Sequence, residues 1–139
     1  MCIRDRYANI SKTKLKKSIL VAGGGPAGVK AACIASGRGH RVTLCEKSNS
    51  LGGQINLAQS LPGRTEFGGI ITNLNKELKR TTVNVRFNSF VNLDLIEELA
   101  PDVVIAATGA IPYVPEIQGS EDAHVVDAWQ VLELSLIHI

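Results

Sequence analysis

Hydrophobic positions along this chain fall into short blocks that switch between a strand-like and a helix-like period. Ser18-Ile19-Leu20-Val21-Ala22 is mostly apolar and leads into glycines, the pattern of a strand buried on both faces. Pro26 to Ser36 is rich in Ala and ends at Gly37 and Gly39, which predicts a helix and its stop. Arg41-Val42-Thr43-Leu44-Cys45 is short and β-branched, a second strand that ends at Glu46. Together these make a βαβ unit of about 30 residues. A glycine-bearing loop follows over 48–53. Phe67, Ile70, Ile71, Leu74 and Leu78 recur at three- and four-residue spacing and predict an amphipathic helix over 66–79. Val83, Val85 and Phe87 alternate, a third strand. Leu93 to Leu99 predicts one or two helical turns, ended before Pro101. Asp102 to Ala107 is a further buried strand, closing at Thr108-Gly109. Pro112 and Pro115 hold 111–115 extended. Val125-Val126 predicts a last short strand, and 128–132 the start of a helix. The alternation predicts an α/β fold: a parallel, doubly wound, Rossmann-like sheet with flanking helices, incomplete at this length.

Composition narrows the classes. The 139 residues fit one domain or a piece of one, and a formal charge of +2 gives no field that would favour nucleic acid or membrane as partner. No apolar run approaches the roughly 18 to 20 residues needed to span a bilayer. Aromatics make up 4%, too few for a base-stacking nucleic-acid surface. Three cysteines without paired spacing fit a reducing compartment, with a cytoplasmic location expected. Cys33 and Cys45 have neither C-x-x-C nor metal-ligand spacing and are expected to be small buried residues. No metal site is expected. The basic run Lys12, Lys14, Lys16, Lys17 reads as a solvated lead-in, and Trp129 as a packing residue.

Both ends resemble one sequencing-adapter sequence translated on opposite strands. They are Met1-Cys2-Ile3-Arg4-Asp5-Arg6 and Leu134-Ser135-Leu136-Ile137-His138-Ile139. On that reading 1–6 and 134–139 stand outside the fold. The stretch 7–133 is then a cofactor-binding domain fragment of a longer gene.

The chemistry concentrates in Gly23-Gly24-Gly25-Pro26-Ala27-Gly28, a G-x-G-x-x-G between a strand and a helix. Gly23 permits the tight turn, Gly25 lets the backbone approach a pyrophosphate, and Gly28 lets helix and strand pack closely. The free first-turn N–H groups and the positive end of the helix dipole then face phosphate charge. Pro26 sacrifices no needed donor there. Glu46, 18 residues after Gly28, stands where an acid accepts hydrogen bonds from ribose hydroxyls and repels a 2′-phosphate. Leu51-Gly52-Gly53-Gln54 reads either as an ordinary loop or as a second loop bringing amides to the ligand. Ala107-Thr108-Gly109 either ends a strand or adds to the same crevice. No residue is expected to be catalytic; His40 precedes a strand without a plausible acid partner nearby in sequence, and His124 falls in a loop.

Four blocks in this order resemble a known family. They are GGGPAG; Glu46-Lys47 with Leu51-Gly52-Gly53-Gln54-Ile55-Asn56-Leu57-Ala58; Pro62-Gly63-Arg64-Thr65-Glu66-Phe67-Gly68; and Pro101 to Gly109. Over most of 18–132 the chain resembles the C-terminal flavoprotein part of the NADH:flavin oxidoreductases of the 2,4-dienoyl-CoA reductase and trimethylamine dehydrogenase group. The resemblance implies FAD binding. It also implies, in the full-length protein, an FMN-bearing barrel, a 4Fe-4S cluster and an NAD(P)H domain that this chain lacks. Electrons would pass from NAD(P)H through FAD and the cluster to FMN, which reduces an enoyl-CoA-type substrate. The residues implied to bind the cofactor begin with Gly23, Gly25, Pro26, Ala27, Gly28, Glu46 and Lys47. Gly53, Gln54, Arg64, Val91, Thr108 and Gly109 complete the set. Within it Ala27 meets the pyrophosphate, Glu46 the ribose, and Val91 the adenine through its backbone. Some relatives hold ADP in this place. Competing readings are an ADP- or NAD-binding module and a thioredoxin-reductase-like enzyme, which would need a C-x-x-C absent from this sequence.

Overall fold

Four strands pair in the order β3-β2-β1-β4, all parallel, in a computed structural model that describes residues 11–138, with side chains as far as Glu133. The strands are β1 (Ser18–Ala22), β2 (Arg41–Cys45), β3 (Asn84–Arg86) and β4 (Val103–Ala106). Between and after them run α1 (Pro26–Gly37), α2 (Gln54–Ala58), a 3-10 turn (Thr65–Phe67), α3 (Gly68–Leu78), α4 (Leu93–Leu99) and α5 (Ala128–His138). Of the suspected adapter segments, 1–6 and Ile139 lie outside the described residues, whereas 134–138 continue α5.

Register explains which residues are buried. Ile19 pairs with Val42 and Val103, and Val21 with Leu44 and Ile105, so one sheet face is a continuous apolar surface. Val29, Ala32, Cys33 and Ala35 of α1 and Leu78 of α3 cover it. The small side chains of α1 let its backbone lie close to the sheet. Val21, Val29 and Leu44 are almost completely buried, each stabilising the fold by roughly 2 kcal/mol relative to exposure. The opposite face is covered in part by α4: Leu99 lines a cavity of about 200 Å³ with Leu20 and Thr43, and Glu98 pairs with Arg86 at 3.7 Å. Val104, on that second face, is 41% exposed. Caps follow the sequence: Asn92 Oδ1 accepts from the Leu95 amide at 2.9 Å, and Ala100 closes α4 in the left-handed region (φ 40°) before Pro101.

Three expectations need correction. The 66–79 helix is divided, a 3-10 turn giving way to α3 at Gly68, and Ile70 sits at the exposed margin of its apolar stripe. The third strand is confined to Asn84–Arg86, the part that meets β2. Val125 and Val126 form no strand; the Val125 amide donates to the Asp122 carbonyl in a turn, so β-branched composition alone does not make a strand there.

Cys33 and Cys45 are buried, free and held as thiols, since burial pushes both upward in pKa. Trp129 is half-buried in α5, and His40 has a structural role, its Nδ1 accepting from the Lys17 amide at 3.2 Å. Among the described residues no helix is long and apolar enough to cross a membrane.

Candidate functional site

The carboxyl ends of β1 and β4 mark the place where the sheet order reverses, and in such sheets a crevice opens there. The glycine turn fills that position. Gly23 has φ +110°, and its amide donates to the Cys45 carbonyl at 2.8 Å. A Cβ on Gly23 would collide with the carbonyl oxygen of Ala107 at the end of β4, and one on Gly28 with the carbonyl oxygen of Gly23. These two glycines therefore allow turn, helix and neighbouring strand to touch. Gly25 differs. It is the N-cap of α1 in ordinary extended geometry (φ −70°), and a Cβ there would meet nothing within 4 Å. Its missing side chain leaves open space above the helix start. Among the described residues, the amides of Gly25, Ala27 and Gly28 have no acceptor, while Val29 is the first to close the helical ladder, donating to Gly25 at 3.0 Å. Pro26 occupies the first helical position and has no donor to offer.

Glu46 leaves β2 beside this turn and is only 6% exposed. Its Oε2 accepts from the Gly24 amide at 2.6 Å, and its Oε1 accepts from the Ser48 amide at 2.8 Å and the Ser48 hydroxyl at 2.9 Å. Burial pushes the carboxyl pKa up, but these hydrogen bonds and the Lys47 charge outweigh it and hold the group below its ordinary value. The carboxylate is thus an anion that braces the turn. A carboxylate has about four acceptor positions, and three are taken. Sequence reasoning placed Glu46 at the crevice but missed both this brace and Ser48, whose only signal was its position two residues on.

The second glycine loop is stitched to the first: Gly52 donates to the Gly24 carbonyl at 2.9 Å. Gly52 and Gly53 both have positive φ, and an added Cβ on Gly53 would lie 3.3 Å from the Cα of Gly25. The loop then turns into α2, a helix too short to register as a period in the sequence. Gln54, its first residue, donates from Nε2 to the Ala110 carbonyl at 2.9 Å, joining this loop to the exit of β4. Thr108 and Gly109 lie in that exit, both exposed.

Other expected residues are placed more loosely. Lys47 is exposed, and its charge acts on the neighbouring Glu46 without a hydrogen bond or salt bridge between them. Arg64 is exposed at the start of the 3-10 turn, its guanidinium 5.7 Å from the Phe67 ring centroid, and no hydrogen bond joins it to the glycine turn. Val91 follows β3 in a segment laid across the end of β2, with Ser89 donating to the Glu46 carbonyl at 2.9 Å and Asn88 to the Ser48 carbonyl at 3.0 Å. Both peptide groups of Val91 are without a partner among the described residues. No grouping of His, Cys, Asp and Glu among the described residues could hold a metal ion.

Residues 17–135 match the family described as pyridine nucleotide-disulphide oxidoreductase. The chain is 42% identical over 128 residues to an NADH oxidase of Thermoanaerobacter brockii, covering 91% of this chain and 20% of that protein. It is also 42% identical over 123 residues to a bilirubin reductase of Mediterraneibacter gnavus, covering 88% and 19%. Among solved structures, a 2-naphthoyl-CoA reductase in complex with 2-naphthoyl-CoA superposes with a TM-score of 0.87 at 33% identity, over 91% of this chain and 19% of that one. The chain spans about a fifth of the length of the curated relatives it matches.

Proposed function

The chain belongs to the pyridine nucleotide-disulphide oxidoreductase family, and from that premise we propose that its crevice holds the adenosine diphosphate part of FAD. The carrying observation is the cluster of three unpartnered amides, of Gly25, Ala27 and Gly28, opening a twelve-residue helix beside a buried, ionised carboxylate. The amides and the helix dipole suit a diphosphate, and the space that a Cβ on Gly25 would fill suits its close approach. The acceptor position left on Glu46 suits a ribose hydroxyl, and its charge disfavours a 2′-phosphate at that sugar. The free peptide groups of Val91 suit the edge of an adenine. Thr108, Gly109 and Gln54 border the crevice from the β4 side, with Gly53 above Gly25. Lys47, next to Glu46, and Arg64 are the cations proposed to meet the cofactor, a guanidinium being well matched to phosphate.

The relatives' names support an oxidoreductase role: an NADH oxidase, a bilirubin reductase and a 2-naphthoyl-CoA reductase all carry a region like this one. In the full-length polypeptide, FAD when bound supplies electron transfer from NAD(P)H, by way of a 4Fe-4S cluster and FMN, to an enoyl-CoA-type substrate. This region's residues bind and orient; none moves a proton or forms a bond with substrate, so the 139-residue chain by itself is inactive. Its partners are the barrel and NAD(P)H domain of the same polypeptide, and its location the cytoplasm. On this proposal 7–133 is the native domain.

Gly25→Ala provides the test. The extended geometry of Gly25 accepts a side chain and its Cβ touches nothing in the chain, so the thermal midpoint is expected to stay near that of the parent chain. ADP affinity by titration calorimetry is expected to fall at least about tenfold, because the methyl group occupies the phosphate approach. Unchanged ADP affinity in a folded variant would remove the crevice from consideration.

A further inference from the structure

We propose that Ser48 is a positioning residue that aims the Glu46 carboxylate, and that it thereby governs how strongly the crevice prefers a ligand with a free ribose diol. The inference rests on the crevice holding an adenosine diphosphate moiety and goes further by giving the sugar preference to the residue that holds the Glu46 carboxylate in place. A buried carboxylate at the end of a strand can rotate about its last side-chain torsion, which is intrinsically broad. Two groups resist that rotation from opposite sides. Gly24 holds Oε2 through one hydrogen bond, and Ser48 holds Oε1 through two, from its amide and its hydroxyl.

Ser48 is itself held in place. Its carbonyl accepts from the Asn88 amide at 3.0 Å, and its hydroxyl lies 2.8 Å from the Ser50 carbonyl as well as 2.9 Å from Glu46. Asn88 has φ +51°, a left-handed geometry that a short polar side chain tolerates. The same Asn88–Ser89 segment donates to the Glu46 carbonyl, so Ser48 and Glu46 are fixed to one frame. With a single hydrogen to give, the Ser48 hydroxyl is shared between the carboxylate and the Ser50 carbonyl. An incoming sugar hydroxyl can use the acceptor position that these three bonds leave open, while both Ser48 bonds keep Oε1 in place. Glu46 therefore presents one open acceptor position, aimed by its three bonds, to the ribose diol. A ligand lacking those hydroxyls gains nothing from it.

Removing the hydroxyl leaves the Ser48 amide bond intact, so the fold survives but the carboxylate is held by one donor on each oxygen. In calorimetric titrations of the full chain, the parent protein is expected to bind ADP more tightly than 2′,3′-dideoxy-ADP. Ser48→Ala is expected to reduce that preference about tenfold, mainly by weakening ADP. Ser48→Thr keeps the hydroxyl and is expected to restore it. A general loss of structure would lower both affinities together and leave their ratio unchanged. A ratio in Ser48→Ala equal to the parent's, or a threonine variant behaving like the alanine one, overturns the positioning role. Failure of the parent chain to bind ADP at all would instead overturn the underlying assignment of the crevice.

Discussion

Glu46→Gln is expected to cost about 3 kcal/mol of folding stability and to abolish measurable ADP binding, although it changes one atom. The carboxylate accepts three hydrogen bonds from three donors, and an amide cannot do so in either orientation. With its NH2 toward Gly24, a donor faces a donor. With its NH2 toward Ser48, the hydroxyl can turn to accept, but the Ser48 amide is left opposed. Urea unfolding would read the stability loss and calorimetry the binding loss. A pH dependence accompanies it. Because the folded-state carboxyl pKa lies below its ordinary value, the bracing is fully present above the unfolded value of about 4.3, and it is lost as pH falls through the folded value. The parent chain should therefore lose stability in that acid range. The glutamine variant, already without the brace, should show a shallower acid limb; an equally steep limb would assign the acid sensitivity to other carboxylates.

Gly23→Ala and Gly28→Ala are expected to destabilise the chain by about 3 kcal/mol each, in contrast to the silent fold of Gly25→Ala. At Gly23 two penalties combine, a left-handed φ and a methyl group driven into the backbone of Ala107. Gly28 has no such φ, but its methyl would enter the carbonyl of Gly23, and backbone cannot move aside as a flexible side chain does. Denaturation midpoints of the three variants would rank them. A Gly28→Ala midpoint close to that of Gly25→Ala would mean that α1 can shift on the sheet, contrary to its tight packing. Gly23 and Gly28 thus differ in kind from Gly25: an added Cβ would strike backbone at the first two and meet only open space at the third.

That division was only partly legible in the sequence. Periodicity located β1, α1 and β2 almost to the residue, because each is a short, uninterrupted block bounded by Gly, Pro or Glu. It located α4 through Pro101, and β4 through its run of β-branched residues. It could not find α2, whose five residues span little more than one turn and whose start is set by the positive φ of Gly53. Nor could it foresee that Val125-Val126 stays unpaired, since strand formation depends on a free neighbouring edge. At the site, residue types sufficed to bring together the glycine turn and Glu46. The linkage of Glu46 to Gly24 and Ser48, and of Gln54 to Ala110, depends on side-chain directions that spacing does not encode. Arg64 illustrates the reverse: a plausible cation by type, it stands over Phe67 with no bond to the turn.

The hydrogen bond from Gly52 to the Gly24 carbonyl makes the two glycine loops one mechanical body. Neither loop can open without releasing the other, and Gly24 is at the same time tied to Glu46. In deuterium-labelling experiments the amides of Gly24 and Gly52 should consequently exchange at a common rate, and a bound ligand should slow both by the same factor.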